Sequence, residues 1–158
     1  MGLDLNAVHM MVSGIQPEDF NDNKDVLTLG VQDCYFTYDE LKEFYEKNNI
    51  DFKNIKIGEQ EFAEGFFQYA DYDRWKIAKN THQRTLLESL GFSKKRITAL
   101  DVNDFEGAEI IHNLNYTIPE ELEDKFDVII ESGTIEHVFS LKDAFFNMVK
   151  LCRIGGII

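Results

Sequence analysis

The sequence predicts an α/β domain with a mostly parallel sheet covered by helices on both faces. Two observations lead there. Short apolar runs with little polar alternation recur along the chain, and such runs read as strands buried on both faces. Segments with helical periodicity stand between them, and strands that alternate with helices imply parallel pairing through crossovers. The 158 residues are 44% hydrophobic and 13% aromatic, enough for one domain with a sizeable core.

Residues 3–15 form a short amphipathic helix, with Leu5, Val8, Met11 and Val12 on one side. A polar linker, QPEDFNDNKD, leads into the first strand at 25–29. The next helix starts at Thr37, which has capping-box spacing to Glu40. Leu41, Phe44 and Tyr45 make its apolar stripe, and KNN at 47–49 ends it. Residues 50–73 are irregular and rich in aromatics, within an insertion at about 50–90. Trp75, Ala78, Leu86 and Leu90 predict a helix over 74–90, closed by Gly91.

The second strand is RITALD at 96–101, the third AEIIH at 108–112 and the fourth FDVIIES at 126–132. Ser140, spaced to Asp143, caps a final helix with Leu141, Phe145, Val149 and Cys152 along one face. Arg153 lies near the negative end of that helix, Gly155-Gly156 terminates it, and a fifth strand starts at Ile157. The chain stops just as this apolar run begins. A terminus there leaves an unfinished strand with an open edge, so the sequence reads as part of a longer protein.

Composition excludes several function classes. The formal net charge is −13 and the pI about 4.6, which opposes binding to nucleic acid or to an anionic membrane surface. Nothing resembles a signal peptide or a membrane span. Cys34 and Cys152 are far apart without ligand spacing, which fits a reducing, cytoplasmic setting. The histidines show no metal-ligand spacing, so no metal is expected.

In an open α/β sheet, ligands bind beyond the carboxyl ends of the strands. That selects four loops. Gly30 permits close backbone approach after the first strand, the amides after it can cradle an anionic group, and Gln32 and Asp33 follow it. Asp101 ends the second strand, where an acid commonly accepts bonds from ribose hydroxyls, although its spacing from Gly30 is far longer than the usual one. Asn113 and Leu114 follow the third strand. Glu131, Ser132, Gly133, Glu136 and His137 follow the fourth, with His137 as a candidate general base oriented by Glu136. Each has a plainer reading as a strand end, a turn or a helix lead-in. The aromatics of 52–75 read either as a substrate-facing lid or as the insertion's own core.

The stretch from about 96 to 158 resembles class I S-adenosylmethionine-dependent methyltransferases. The resemblance rests on Asp101 ending a strand, Asn113-Leu114 in a polar turn, Phe126-Asp127-Val128-Ile129 on the fourth strand, Glu136-His137, and Gly155-Gly156. It implies a Rossmann-like methyltransferase fold, three-layer α/β/α with a mostly parallel sheet, here truncated at the C-terminus. It also implies S-adenosyl-L-methionine as cofactor. Gly30 would then lie against the methionine end, Asp101 on the ribose, Val102 against the adenine, and Asn113 and Leu114 along the ring. Glu131, Ser132 and Gly133 would line the crevice at the methyl donor. Similar bacterial sequences, some near surface-sugar gene sets, imply a small-molecule acceptor related to carbohydrate. A homodimer is a further expectation.

Two departures from the family pattern leave an alternative open. The first loop, LGVQDCYF, carries one glycine where the family has two or three, and residues 31–36 are bulky. A catalytically inactive methyltransferase-like interaction domain accommodates both this loop and the insertion. A nicotinamide-dependent oxidoreductase is the third reading, disfavoured because G-x-G-x-x-G is absent.

Overall fold

The computed structural model describes residues 2–56, 58–61 and 80–158. In chain order the strands are β1 (Gly2–Leu3), β2 (Val26–Leu29), β3 (Asp33–Thr37), β4 (Asn80–His82), β5 (Ile97–Asp101), β6 (Ile110–Ile111), β7 (Phe126–Glu131) and β8 (Cys152–Ile157). The helices are α1 (Leu5–Gly14), α2 (Tyr38–Lys47), α3 (Gln83–Ser89) and α4 (Leu141–Leu151). The principal sheet has the order β6-β5-β2-β7-β8, and every neighbouring pair is parallel. Counted within this sheet, the strands run third, second, first, fourth, fifth, an order compatible with a Rossmann-like fold.

Alternation along the strands divides the core into two layers. Leu27, Leu29, Leu100 and Ile129 face one side, where Ala144, Met148 and Leu151 of α4 cover them. Val26, Ile97, Val128 and Ile130 face the other, against Ile15, Leu87 and Phe92, with Met11 of α1 packed alongside. Both faces of the sheet are therefore covered, as the continuous apolar runs require. At the amino ends of the strands, the Asp127 carboxylate accepts bonds from the Asp25 amide at 2.7 Å and the Arg153 guanidinium at 2.6 Å. This ionic seal closes that end and leaves the carboxyl end for a site.

Local signals set the helix starts. Thr37 Oγ1 accepts from the Glu40 amide at 3.2 Å while Glu40 Oε2 accepts from the Thr37 amide at 2.8 Å, the reciprocal capping box. Ser140 Oγ accepts from the Asp143 amide at 3.3 Å. On α1, Leu5, Val8, Met11 and Val12 pack into one apolar cluster as expected. The helix itself begins at Leu5, because Asp4 is its N-cap and Gly2–Leu3 form a strand.

Several expectations are corrected. After Gly30 the chain enters β3, and a second sheet of order β1-β3-β4 forms, with β3 and β4 antiparallel. Within the predicted 74–90 helix, residues 80–82 are strand and only Gln83–Ser89 are helical; Trp75 and Ala78 lie outside the described residues, as do most of the aromatics assigned to a lid. Gly155-Gly156 do not end α4. Its C-cap is Cys152, and β8 already spans Cys152–Ile157, so the fifth strand starts earlier than Ile157. A register shift against β7 accommodates the two glycines: Gly155 has φ +82°, and a Cβ on Gly156 would lie 2.6 Å from Cys152 Sγ.

Two stripes run along α4. Ala144, Asn147, Met148 and Leu151 are buried, whereas Leu141, Phe145 and Val149 are exposed. Asn147 tolerates burial because its Nδ2 donates to the Leu114 and Tyr116 carbonyls at 2.9 and 2.8 Å and its Oδ1 accepts from the Ile118 amide. Among the described residues, no helix is long and apolar enough to cross a membrane.

Candidate functional site: the carboxyl edge of the sheet

The pairing register brings the strand ends level. Leu29 pairs with Leu100 on one side and with Glu131 on the other. Gly30 therefore emerges beside Asp101 and the loop after Glu131, where the sheet order reverses and a crevice opens. A cleft of about 350 Å³ lies there, bordered by Asp101, Val102, Asn113, Thr134 and His137. This is within the size range of small-molecule sites.

Gly30 is required by its geometry. Its φ is +77°, its amide donates to the Leu100 carbonyl at 2.7 Å, and it is buried. A Cβ there would lie 3.0 Å from Thr134 Oγ1 and 3.6 Å from Asp101 Oδ2. Asp101 Oδ1 accepts from the Val102 amide at 2.6 Å, which leaves Oδ2 on the Gly30 side.

Gln32 and Asp33 do not border the cleft. Gln32 is 1% exposed; its amide donates to Gln83 Oε1 at 2.7 Å and its Nε2 donates to the Leu29 carbonyl. The amide expected to cradle an anion is thus taken, and a strand rather than a helix N-terminus follows. Asp33 sits in β3 between Gly2 and His82, and burial pushes its carboxyl above the usual carboxylate range.

The remaining predicted residues divide between the cleft and structural roles. Val102 is exposed at the rim, and Leu114 is a core residue that borders the cleft. Asn113 Oδ1 accepts from the amide and the Nδ2 of Asn115, forming a local turn. Glu131 Oε1 accepts from three successive amides: Gly133 at 2.8 Å, Thr134 at 2.5 Å and Ile135 at 3.0 Å. This carboxylate shapes the loop around Gly133, whose φ is +99°. Ser132 Oγ donates to the Gly2 carbonyl at 3.4 Å. Glu136 Oε1 lies 3.5 Å from His137 Nε2, with both side chains mostly in solvent. His137 borders the cleft.

Two cleft residues, Thr134 and His112, lie in the selected loops but were not named there, and Glu106 stands in a neighbouring depression beside Asp101. Thr134 Oγ1 donates to the Leu29 carbonyl at 2.6 Å. His112 lines the cleft, its Nε2 3.0 Å from the Tyr116 carbonyl. Glu106 has its carboxyl pushed up by burial and by the nearby Asp33 and Asp101 charges. None stands in a recognisable motif, and all three are brought in by loop geometry.

The cleft thus joins a carboxylate and a rim histidine in a lining of mixed polarity, with Gly30 packed beside Asp101 and Thr134. Among the described residues, no group of three or more His, Cys, Asp or Glu is arranged to hold a metal ion. Comparison of the chain with protein-family models, curated proteins and solved structures finds no match.

Proposed function

We propose that this chain binds S-adenosyl-L-methionine in the cleft and transfers its methyl group to an oxygen or nitrogen of a small molecule, with a carbohydrate-related acceptor favoured by the resemblance. One observation carries the reading: the Asp101 carboxylate ends β5 beside Gly30, at the point where the strand order reverses. A carboxylate there is placed to accept two hydroxyl bonds from a ribose. The residues present fit the adenosyl part. Val102 and the 113–114 turn border the cleft, and a side chain on Gly30 would press on Thr134, Gln32 and Asp101.

When bound, the sulfonium supplies an electrophilic methyl group. The chain's own residues align the acceptor and exclude water, and positioning supplies much of the acceleration. His137, at the rim, is the group we assign to take the acceptor's proton. Two unpaired cysteines accord with a cytoplasmic location, and the acidic surface accords with a small-molecule acceptor rather than nucleic acid.

A second reading has its own observation. Gln32 fills the space beneath Gly30 and its amide is bonded to Gln83, so the loop offers fewer donors to a methionine carboxylate. An inactive interaction domain would share this geometry. Titration with S-adenosylmethionine and its demethylated product, followed by heat release and thermal shift, separates the two. A binder gains stability with ligand, and Asp101→Ala abolishes the gain. Absence of any shift with either compound rejects the methyltransferase reading; a shift with a nicotinamide dinucleotide instead would replace it.

A further inference from the structure

Helix α4 is apolar on two sides. One side packs on the sheet. On the other, Leu141, Phe145, Phe146 and Val149 are 51–64% exposed, and Phe139 and Ile154 beyond the helix ends are each 99% exposed. Val149, Ile154 and Ile158 border one shallow depression, which Glu123, Asp124, Lys150 and Arg153 share as a charged rim. Strand β8 is the edge of the principal sheet.

A helix that is apolar on both sides ordinarily lies inside an assembly. The largest apolar patch on a monomer is about 300–600 Å². These side chains together present roughly 800 Å², given the area that aromatic residues carry, which is about what one partner contributes to a stable interface.

We propose that a second copy of this chain covers the face, in a two-fold dimer with the two α4 helices antiparallel. The stripe complements itself. A two-fold axis at Phe145 sets Leu141 of one copy opposite Val149 of the other, as an isologous interface requires. Antiparallel helices also set the positive end of each dipole beside the negative end of its partner. The charges on α4 are Lys142, Asp143 and Lys150, so the helix does not share the acidity of the chain as a whole. Lys150 is already turned to Glu123 and the Phe146 ring. The opposing term is repulsion between two chains of charge −13, which salt screens.

Sedimentation velocity on the 158-residue chain across micromolar concentrations tests this. A concentration-dependent dimer is expected, tighter at about 0.5 M than at about 0.05 M salt, because the repulsion is screened. Phe145→Asp, at the axis, is expected to weaken the dimer by about 30-fold or more, as central aromatic anchors do. Phe139→Asp and Ile154→Asp sit on side chains that touch almost nothing in the monomer, so they weaken the dimer without altering the unfolding midpoint of the monomer. A monomer at every concentration and salt overturns the proposal. So does a dimer that all three substitutions leave intact, since its interface must then lie elsewhere.

Discussion

The hydroxyl of Thr134 donates a 2.6 Å hydrogen bond to the main-chain carbonyl of Leu29, joining the loop after β7 to the last residue of β2. The same carbonyl accepts from Gln32 Nε2. Two side chains thus hold the peptide that sets the course of Gly30. Thr134→Val keeps the branched shape and removes the donor. Loss of one such bond costs about 1 kcal/mol, which lowers the midpoint by about 2–4 °C in a chain of this size. Thermal unfolding measures that cost. If the proposed cofactor binds, titration with S-adenosylmethionine measures an accompanying loss of affinity, because Gly30 is held less firmly.

Asp101 is set apart from its acidic neighbours by what it does not have to hold up. Its Oδ1 bonds only the adjacent Val102 amide, so the fold has little stake in its charge. Asp101→Asn is expected to leave the unfolding midpoint within a few degrees. Ligand affinity should fall about 10- to 100-fold, the worth of a hydrogen bond to a charged group. Calorimetric titration of both proteins checks this; equal affinities would remove Asp101 from the site.

The parts of the fold legible in the sequence were those encoded at short range. The capping box at Thr37 and Glu40, the Ser140 cap and the buried runs of β2, β5 and β7 need only neighbouring residues to be recognised. The small sheet was hidden because β3 directly follows a glycine turn and pairs with residues 80–82, a partnership no local pattern records. The inward face of helix α4 was not legible for another reason. Leu141, Phe145 and Val149 share one helical stripe and Ala144, Met148 and Leu151 another, so periodicity could not choose between two apolar faces. The inward set is decided by Asn147, whose buried bonds to the 114–118 loop exist only in three dimensions. At the site, Asp101 and Gly30 stood out by position on their strands. Thr134 did not, because its partner carbonyl lies far away in the chain.

His82 couples stability to pH. Its Nδ1 accepts from the Arg84 amide at 3.1 Å and so caps α3 in the neutral form. Burial lowers its pKa below the usual histidine value, although Glu61 pulls the other way. The unfolded chain therefore binds a proton that the folded chain refuses. The stabilising contribution is fully present above the unfolded pKa, about 6.5, and declines as pH falls through that value toward the lower folded one. His82→Asn keeps a good capping side chain and removes the titration. Denaturant unfolding of the two proteins between about pH 5 and pH 8 should show a slope in the parent that the variant lacks in this window.

Glu131 separates positioning from chemistry. As a strand-end carboxylate bordering the pocket between α1 and β7, it has the chemistry of a catalytic base. Its Oε1 is occupied by the amides of Gly133, Thr134 and Ile135, so its work is to fold the loop that presents Thr134 to Leu29. An amide oxygen can still accept those bonds, more weakly than a carboxylate. Glu131→Gln is accordingly expected to cost under about 1 kcal/mol, and Glu131→Ala about 2–3 kcal/mol because three part-buried donors lose their acceptor. If the proposed methyl transfer is the activity, it follows the same ranking, with the glutamine variant close to the parent. A base behaves differently: glutamine cannot take a proton, so both variants would lose turnover equally while only alanine lost stability. Measuring unfolding and turnover together on the two substitutions decides which role the carboxylate plays.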